Sequence, residues 1–127
     1  MPCHVNLPLR WIHEQPAWVA WFVDGRIHPE FGLDLRALAL PASWHKAMAA
    51  RFRDAGLSCS VHLPFLGVDP GGLEAKSAAA SRDNLRRGAE LASLYDAAHM
   101  VGHPYYRPPV EGREDDDMAG RWMEMGV

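Results

Sequence analysis

Two histidines at matched positions are the residues of this sequence best placed to do chemistry. His62 lies in the segment SVHLPF (60–65) and His103 in MVGHPY (100–105), so each follows a short apolar run and closely precedes a proline. A long helical pattern separates the two runs, which predicts a strand–helix–strand unit with parallel strands. Adjacent parallel strands lie about 4.8 Å apart, so the two imidazoles could share a metal ion or contact one pair of sugar hydroxyls. The alternative is that both rings are bonded to backbone in a polar pocket.

Several further side chains are candidates for the same site. Glu30 is expected to end the second strand on the same face as His28, where it would orient a histidine or bind a substrate hydroxyl; the alternative is a solvated carboxylate. Asn6 on the first strand is a weaker candidate of this kind. Tyr105 follows the fourth strand and would either pack against a sugar ring or anchor its loop. His99 begins its strand, so we expect it at the opposite end of the sheet, in a structural role.

The spacing of apolar residues predicts alternating strands and helices. Strands are expected at Cys3–Leu7, Arg26–Leu33, Leu57–Leu63 and Ala98–Gly102, and helices at Glu14–Val23, Pro41–Ala55 and Glu74–Ala97, with the start of another helix near Trp122. Four consecutive βα units indicate an α/β fold with a parallel sheet. The strands carry many polar residues, which a doubly wound sheet would bury at a cost but a polar barrel interior would use.

Four segments carry a family resemblance: HPEFGLD at the second strand, AGLSCSVHLPF at the third, RDNLRRGAELASLYDAAHMVGHPYY across the third helix and fourth strand, and the closing RW. In this order they resemble the xylose isomerase-like TIM barrels, a family that includes the endonuclease IV group. The resemblance spans nearly the whole chain, and its most specific part runs from the third strand to the fourth. It implies a (β/α)8 barrel, of which residues 1–127 would supply the N-terminal half, about four βα units, as a single domain.

The resemblance also implies a function. In the sugar isomerases and epimerases of this family, acidic residues and a histidine from later strands hold a divalent metal such as zinc, manganese or magnesium. The positions that His62 and His103 occupy look toward the substrate, and in the endonuclease branch they ligate zinc. We therefore expect a sugar or sugar-phosphate isomerase or epimerase lineage, with His62, His103, Glu30 and Tyr105 as substrate-binding residues and weak metal binding through the two histidines. This chain alone is expected to show little turnover. The alternatives are a non-catalytic half-barrel that oligomerises and an endonuclease IV-like nuclease for abasic sites.

The composition limits the class of protein. The 127 residues are 48% hydrophobic and 23% charged, which is typical of one globular domain. A net charge of -3 with scattered basic residues argues against nucleic acid as a partner. The sequence has neither an apolar run of about 20 residues nor a signal peptide, so we expect no membrane contact and a cytoplasmic location. Cys3 and Cys59 are expected to be buried thiols. Open strand edges predict a homo-oligomer or a missing C-terminal half.

Overall fold

A computed structural model describes residues 2–103, in which strands and helices alternate. The elements are β1 (His4–Pro8), α1 (Leu9–Glu14), α2 (Ala17–Asp24), β2 (His28–Gly32), α3 (Leu35–Leu38), α4 (Ala42–Asp54), β3 (Ser60–His62), α5 (Ala75–Leu94) and β4 (Met100–Val101). None of these helices is both long and apolar enough to cross a membrane. The predicted α/β class is confirmed.

The four strands form one all-parallel sheet in the order β1-β2-β3-β4. A doubly wound sheet reverses its strand order at a switch point, whereas consecutive order is the arrangement of neighbouring strands in a TIM barrel. The sheet is also strongly curved. The rings of His4 on β1 and His99, which precedes β4, have centroids 5.3 Å apart, although three strand spacings in a flat sheet would separate them by about 14 Å. The sheet therefore has a concave face, to which both histidines belong.

The convex face of the sheet carries the hydrophobic core. Leu7, Phe31 and Val61 are buried there, one from each of the first three strands. The Phe31 ring packs against those of Phe52 on α4 and Tyr95 at the end of α5, with centroids 5.0 and 4.9 Å away. The alternation of apolar and polar residues thus places the helices on one side of the sheet and leaves the polar side chains on the other.

The first predicted helix is in fact two. The apolar spacing suggested one helix over residues 14–23, but α1 begins directly after β1 and ends at Glu14, and α2 begins at Ala17. Pro16 explains the break, because proline has no N–H to donate and keeps the preceding residue out of the helical region. Gln15 accordingly has φ −140° and ψ 88°.

A short helix that the sequence pattern did not indicate, α3, follows β2. Asp34 caps it, since its Oδ1 accepts a hydrogen bond of 2.7 Å from the Ala37 N–H. β3 and β4 are shorter than predicted, and the helix expected near Trp122 lies outside the described residues. One cysteine prediction is wrong: Cys3 is exposed because it precedes the paired part of β1. Cys59 is buried as expected, and neither forms a disulfide.

Candidate functional site

His62 and His103 lie side by side at the carboxyl ends of neighbouring strands. His62 is the last residue of β3, and His103 follows Val101, the last residue of β4, by two positions. Their Nε2 atoms are 3.0 Å apart and their ring centroids 4.9 Å apart. The proximity predicted from the two matched segments is confirmed.

The hydrogen bonds of the pair define which nitrogen of each ring carries a proton. His62 Nδ1 lies 2.9 Å from the Leu63 carbonyl oxygen, which can only accept, so Nδ1–H donates to it. In the neutral ring, Nε2 of His62 then has a free lone pair, and His103 Nε2–H donates to it. The Leu63 carbonyl thus fixes His62 in the tautomer whose Nε2 accepts a hydrogen bond at the carboxyl end of the sheet, as backbone carbonyls do for metal-binding histidines.

Phe65, in the loop after β3, packs its ring against those of His62 and His103. Its ring stacks on His103, with centroids 4.7 Å apart and an angle of 20° between the planes. It meets His62 at a steeper angle of 64°, with centroids 5.2 Å apart. Since Phe65 remains 36% exposed, it can both anchor the histidines and offer an apolar surface to a ligand.

The two histidines fit part of a metal site. Zinc–nitrogen bonds of 2.0–2.1 Å at tetrahedral angles place two ligand nitrogens about 3.3 Å apart, close to the observed separation. His103 would first have to move its proton from Nε2 to Nδ1, because only an unprotonated nitrogen binds a metal. Within residues 2–103 no group of three or more histidine, cysteine or acidic side chains could hold a metal ion. The described residues therefore offer two ligands where a catalytic zinc site usually has three.

Glu30 lies deeper than the sequence suggested. It is the middle residue of β2, not the last, because β2 continues to Gly32, which pairs with His62. Glu30 pairs with Ser60 instead, two residues or about 7 Å below the level of His62. The expectation that Glu30 ends the strand is wrong, while its role in substrate binding stays a prediction. Tyr105 lies outside the described residues.

A row of polar side chains crosses the concave face at the level of Glu30. The strand register aligns four residues in this polar row: Asn6, Glu30, Ser60 and His99. Ser60 is fully buried, and its Oγ has no hydrogen-bond partner within the described part of the chain. A buried hydroxyl normally has a partner, so the Ser60 hydroxyl can still donate or accept a hydrogen bond on the concave face.

A histidine cluster formed by His4, His28 and His99 lies toward the amino ends of the strands. Ser58 connects two of its members, since His28 Nδ1 accepts from the Ser58 N–H at 3.0 Å and His4 Nε2 lies 3.2 Å from the Ser58 hydroxyl. Burial lowers the pKa of His4, and the neighbouring His99 and His28 lower it further, while Glu30 acts in the opposite sense. These bonds join β1 and β2 to the segment before β3. His99 meets this cluster through its ring contact with His4, with centroids 5.3 Å apart, and its structural role stays a prediction.

One ion pair at the carboxyl end of the sheet was missed. Arg10 Nε lies 2.9 Å from Asp34 Oδ2. The signal that could have found it is positional: each residue follows the end of its strand, Pro8 or Gly32, by two positions, and these strand ends pair with each other.

The chain matches no protein-family model, and a search of curated proteins finds no match.

Proposed function

We propose that this chain supplies the substrate-facing half of a sugar or sugar-phosphate isomerase or epimerase site in a xylose isomerase-like barrel. The observation that carries the proposal is the His62–His103 pair, with its Nε2 atoms 3.0 Å apart at the carboxyl ends of adjacent parallel strands. Barrel active sites are built at this end of the strands. The resemblance of the flanking segments to this family supports the same assignment.

The chemistry of the pair suits a ligand with neighbouring hydroxyl groups. His62 presents a lone pair and His103 presents an N–H, so together they can accept a hydrogen bond from one hydroxyl and donate one to the next. The bond between the two rings is then exchanged for two bonds to the ligand. The exposed part of Phe65 would pack against the C–H face of the sugar, as an aromatic side chain with an open face does.

Isomerisation or epimerisation also needs a proton to be removed next to a carbonyl group. A bound divalent metal supplies Lewis-acid polarisation of that carbonyl, and His62 and His103 would be two of its ligands. Within residues 2–103 the register places no carboxylate beside His62, which is flanked by Gly32 and Val101. Asp34, two residues beyond Gly32, is engaged with Arg10 and with the cap of α3. We therefore propose that residues 2–103 bind the substrate and do not supply the base, so that this chain alone shows little or no turnover.

A panel of ketose and aldose sugars, free and phosphorylated, tests this proposal. The purified chain is incubated with each sugar and with zinc, manganese or magnesium, and both binding and interconversion are followed by NMR. We expect saturable binding that is lost in His62→Ala and in His103→Ala but kept in Lys46→Ala, which replaces an exposed residue on α4. Absence of binding across the panel would refute the proposal. Robust interconversion that depends on His62 would overturn the statement that the base is missing.

A second candidate is a non-catalytic half-barrel that associates with itself. Val5 on β1 and Met100 on β4 lie on the helix-bearing side of the two outer strands and are 49% and 51% exposed. Unpaired strand edges with exposed apolar residues favour pairing with another chain. A defined oligomer that binds no sugar would favour this candidate over the first.

A further inference from the structure

A charged cavity of about 260 Å³ lies beside α1, away from the two histidines. Arg10, His13 and Glu14 line it from α1, and Arg36 and Leu40 line it from the segment after β2. Arg10 follows β1 by two residues and Arg36 follows β2 by four. The cavity is therefore built at the carboxyl ends of β1 and β2, the same end of the sheet as His62.

The charges in and beside this cavity sum to zero, two arginines against Glu14 and Asp34, but they are unevenly paired. Arg10 is held by Asp34, and Asp34 is itself fixed by the hydrogen bond that caps α3. The contact between Arg10 and Glu14 is much looser, at 3.9 Å between exposed side chains, and such pairs contribute little. Arg36 is exposed and has no salt bridge within the described part of the chain. One fixed and one free guanidinium thus face the same space.

We propose that this cavity binds the phosphate group of a phosphorylated sugar whose carbon chain reaches the His62–His103 pair. Guanidinium groups bind phosphate oxygens through paired, charge-assisted hydrogen bonds. The proposal rests on the proposed function and narrows its substrate class from free or phosphorylated sugars to sugar phosphates.

The cavity and the histidines are connected through the end of β2. Asp34 follows Leu33, whose N–H donates a 3.0 Å hydrogen bond to the His62 carbonyl oxygen. Across the sheet, the boundary of β1 and β2 is two strand spacings, about 10 Å, from the boundary of β3 and β4. The proposal places the phosphate of the ligand in the cavity, beyond the ends of β1 and β2, and its sugar hydroxyls at the pair.

Glu14 provides a variant with the opposite expected effect, because its carboxylate repels an anion bound in the same cavity. The neutral variant Glu14→Gln should therefore bind phosphate more tightly than the natural chain, whereas Arg36→Gln should bind it less tightly. Arg51→Gln is the matched control, since Arg51 is an exposed arginine on α4 and does not line the cavity. Both arginines are exposed, so neither substitution should disturb folding.

The experiment is a titration of the full chain with inorganic phosphate at constant ionic strength, followed by backbone amide NMR. We expect saturable shifts at Arg10 and Arg36, an affinity at least fivefold lower in Arg36→Gln and severalfold higher in Glu14→Gln, and no change in Arg51→Gln. Equal affinity in Arg36→Gln and Arg51→Gln would overturn the proposal, as would a loss of affinity in Glu14→Gln. Sulfate and acetate titrated alongside tell a phosphate site from a general anion site; equal binding of acetate would also overturn it.

The same titration separates this proposal from the proposed function. Inorganic phosphate needs no contact with the histidines, so His62→Ala should bind it normally. If phosphate binds as expected but no sugar or sugar phosphate contacts His62, the anion site stands and the proposed function fails. If sugars bind through His62 but a sugar phosphate binds no more tightly than its free sugar, the anion site fails and the proposed function stands.

Discussion

Acid should destabilise this fold through one buried histidine, His45 on α4. Only 1% of His45 is exposed, and both ring nitrogens are bonded. Nε2–H donates to the Ala37 carbonyl oxygen at 2.9 Å, and Nδ1 accepts from the Tyr95 hydroxyl at 3.0 Å. Burial raises the pKa of Tyr95, which keeps that hydroxyl protonated and able to donate. The neutral ring therefore satisfies every polar group of this network.

The sign of the pH effect follows from the lowered pKa of His45, whose main cause is burial, partly opposed by the bond to Ala37. The unfolded chain has the ordinary histidine pKa of about 6.5, so on acidification it takes up this proton before the folded chain does. The contribution of His45 to stability is complete above pH 6.5 and declines below it until the folded ring is protonated too. Within that window the free energy of unfolding falls by at most about 1.4 kcal/mol per pH unit from this group.

Urea unfolding between pH 4.5 and 8 measures this effect when the natural chain is compared with His45→Gln. The variant should lose about 1–3 kcal/mol at pH 8, because glutamine cannot satisfy both buried partners. Below pH 6.5 its free energy of unfolding should nevertheless fall less steeply with pH. The slope should be smaller by up to about 1.4 kcal/mol per pH unit, the contribution of one proton. His13→Gln, which replaces an exposed histidine, should keep the steep fall. Equal slopes in the natural chain and in His45→Gln would refute the reasoning.

Three other predictions concern packing, metal binding and assembly. Gly88→Ala should destabilise the fold by about 0–2 kcal/mol in urea unfolding, because the added Cβ would lie 3.0 Å from Leu63 Cδ2 and the cost of overpacking, about 1–3 kcal/mol, exceeds the roughly 1 kcal/mol that alanine gains over glycine in a helix; a stabilised variant would contradict the packing of α5. Zinc should bind through His62 and His103 with a Kd on the order of 1–200 μM, about half the binding free energy of a four-ligand site. Competition with a chromophoric chelator should show at least tenfold weaker binding in His62→Ala, and an unchanged Kd would exclude the pair as ligands. Light scattering should give a mass above the 14.1 kDa of one chain, because the edges of β1 and β4 are unpaired in residues 2–103; a stable monomer at high concentration would argue against self-association.

Much of the fold could be predicted from the sequence because its strands alternate strictly. In β3 and the residues around it, Leu57, Cys59, Val61 and Leu63 turn toward the helices while Ser60 and His62 turn to the concave face, and the structure has this arrangement. The long helix between β3 and β4 favours a parallel arrangement of these strands, and consecutive strands are usually neighbours, which is why the proximity of His62 and His103 could be predicted.

The remaining features depend on contacts that periodicity does not encode. The end of β2 is set by the pairing of Gly32 with Pro8 and His62. The position of Glu30, two residues before that end, therefore could not be predicted from the residues of β2 alone. The helix α3 exists because Asp34 caps it, and the same carboxylate holds Arg10. The contact between His4 and His99 requires the curvature of the whole sheet, which no local pattern shows.

Long-range ¹H–¹⁵N NMR spectra of the histidine rings test most directly the proposed binding of a sugar or sugar phosphate through the Nε2 atoms of His62 and His103. In the free chain, His62 should be protonated on Nδ1 and His103 on Nε2. Titration with a ketose phosphate should shift the Nε2 signals of both rings saturably and leave His45 unchanged. If the rings have those tautomers but their Nε2 signals do not shift with ketose phosphate or with any of the free sugars, the proposed binding is contradicted.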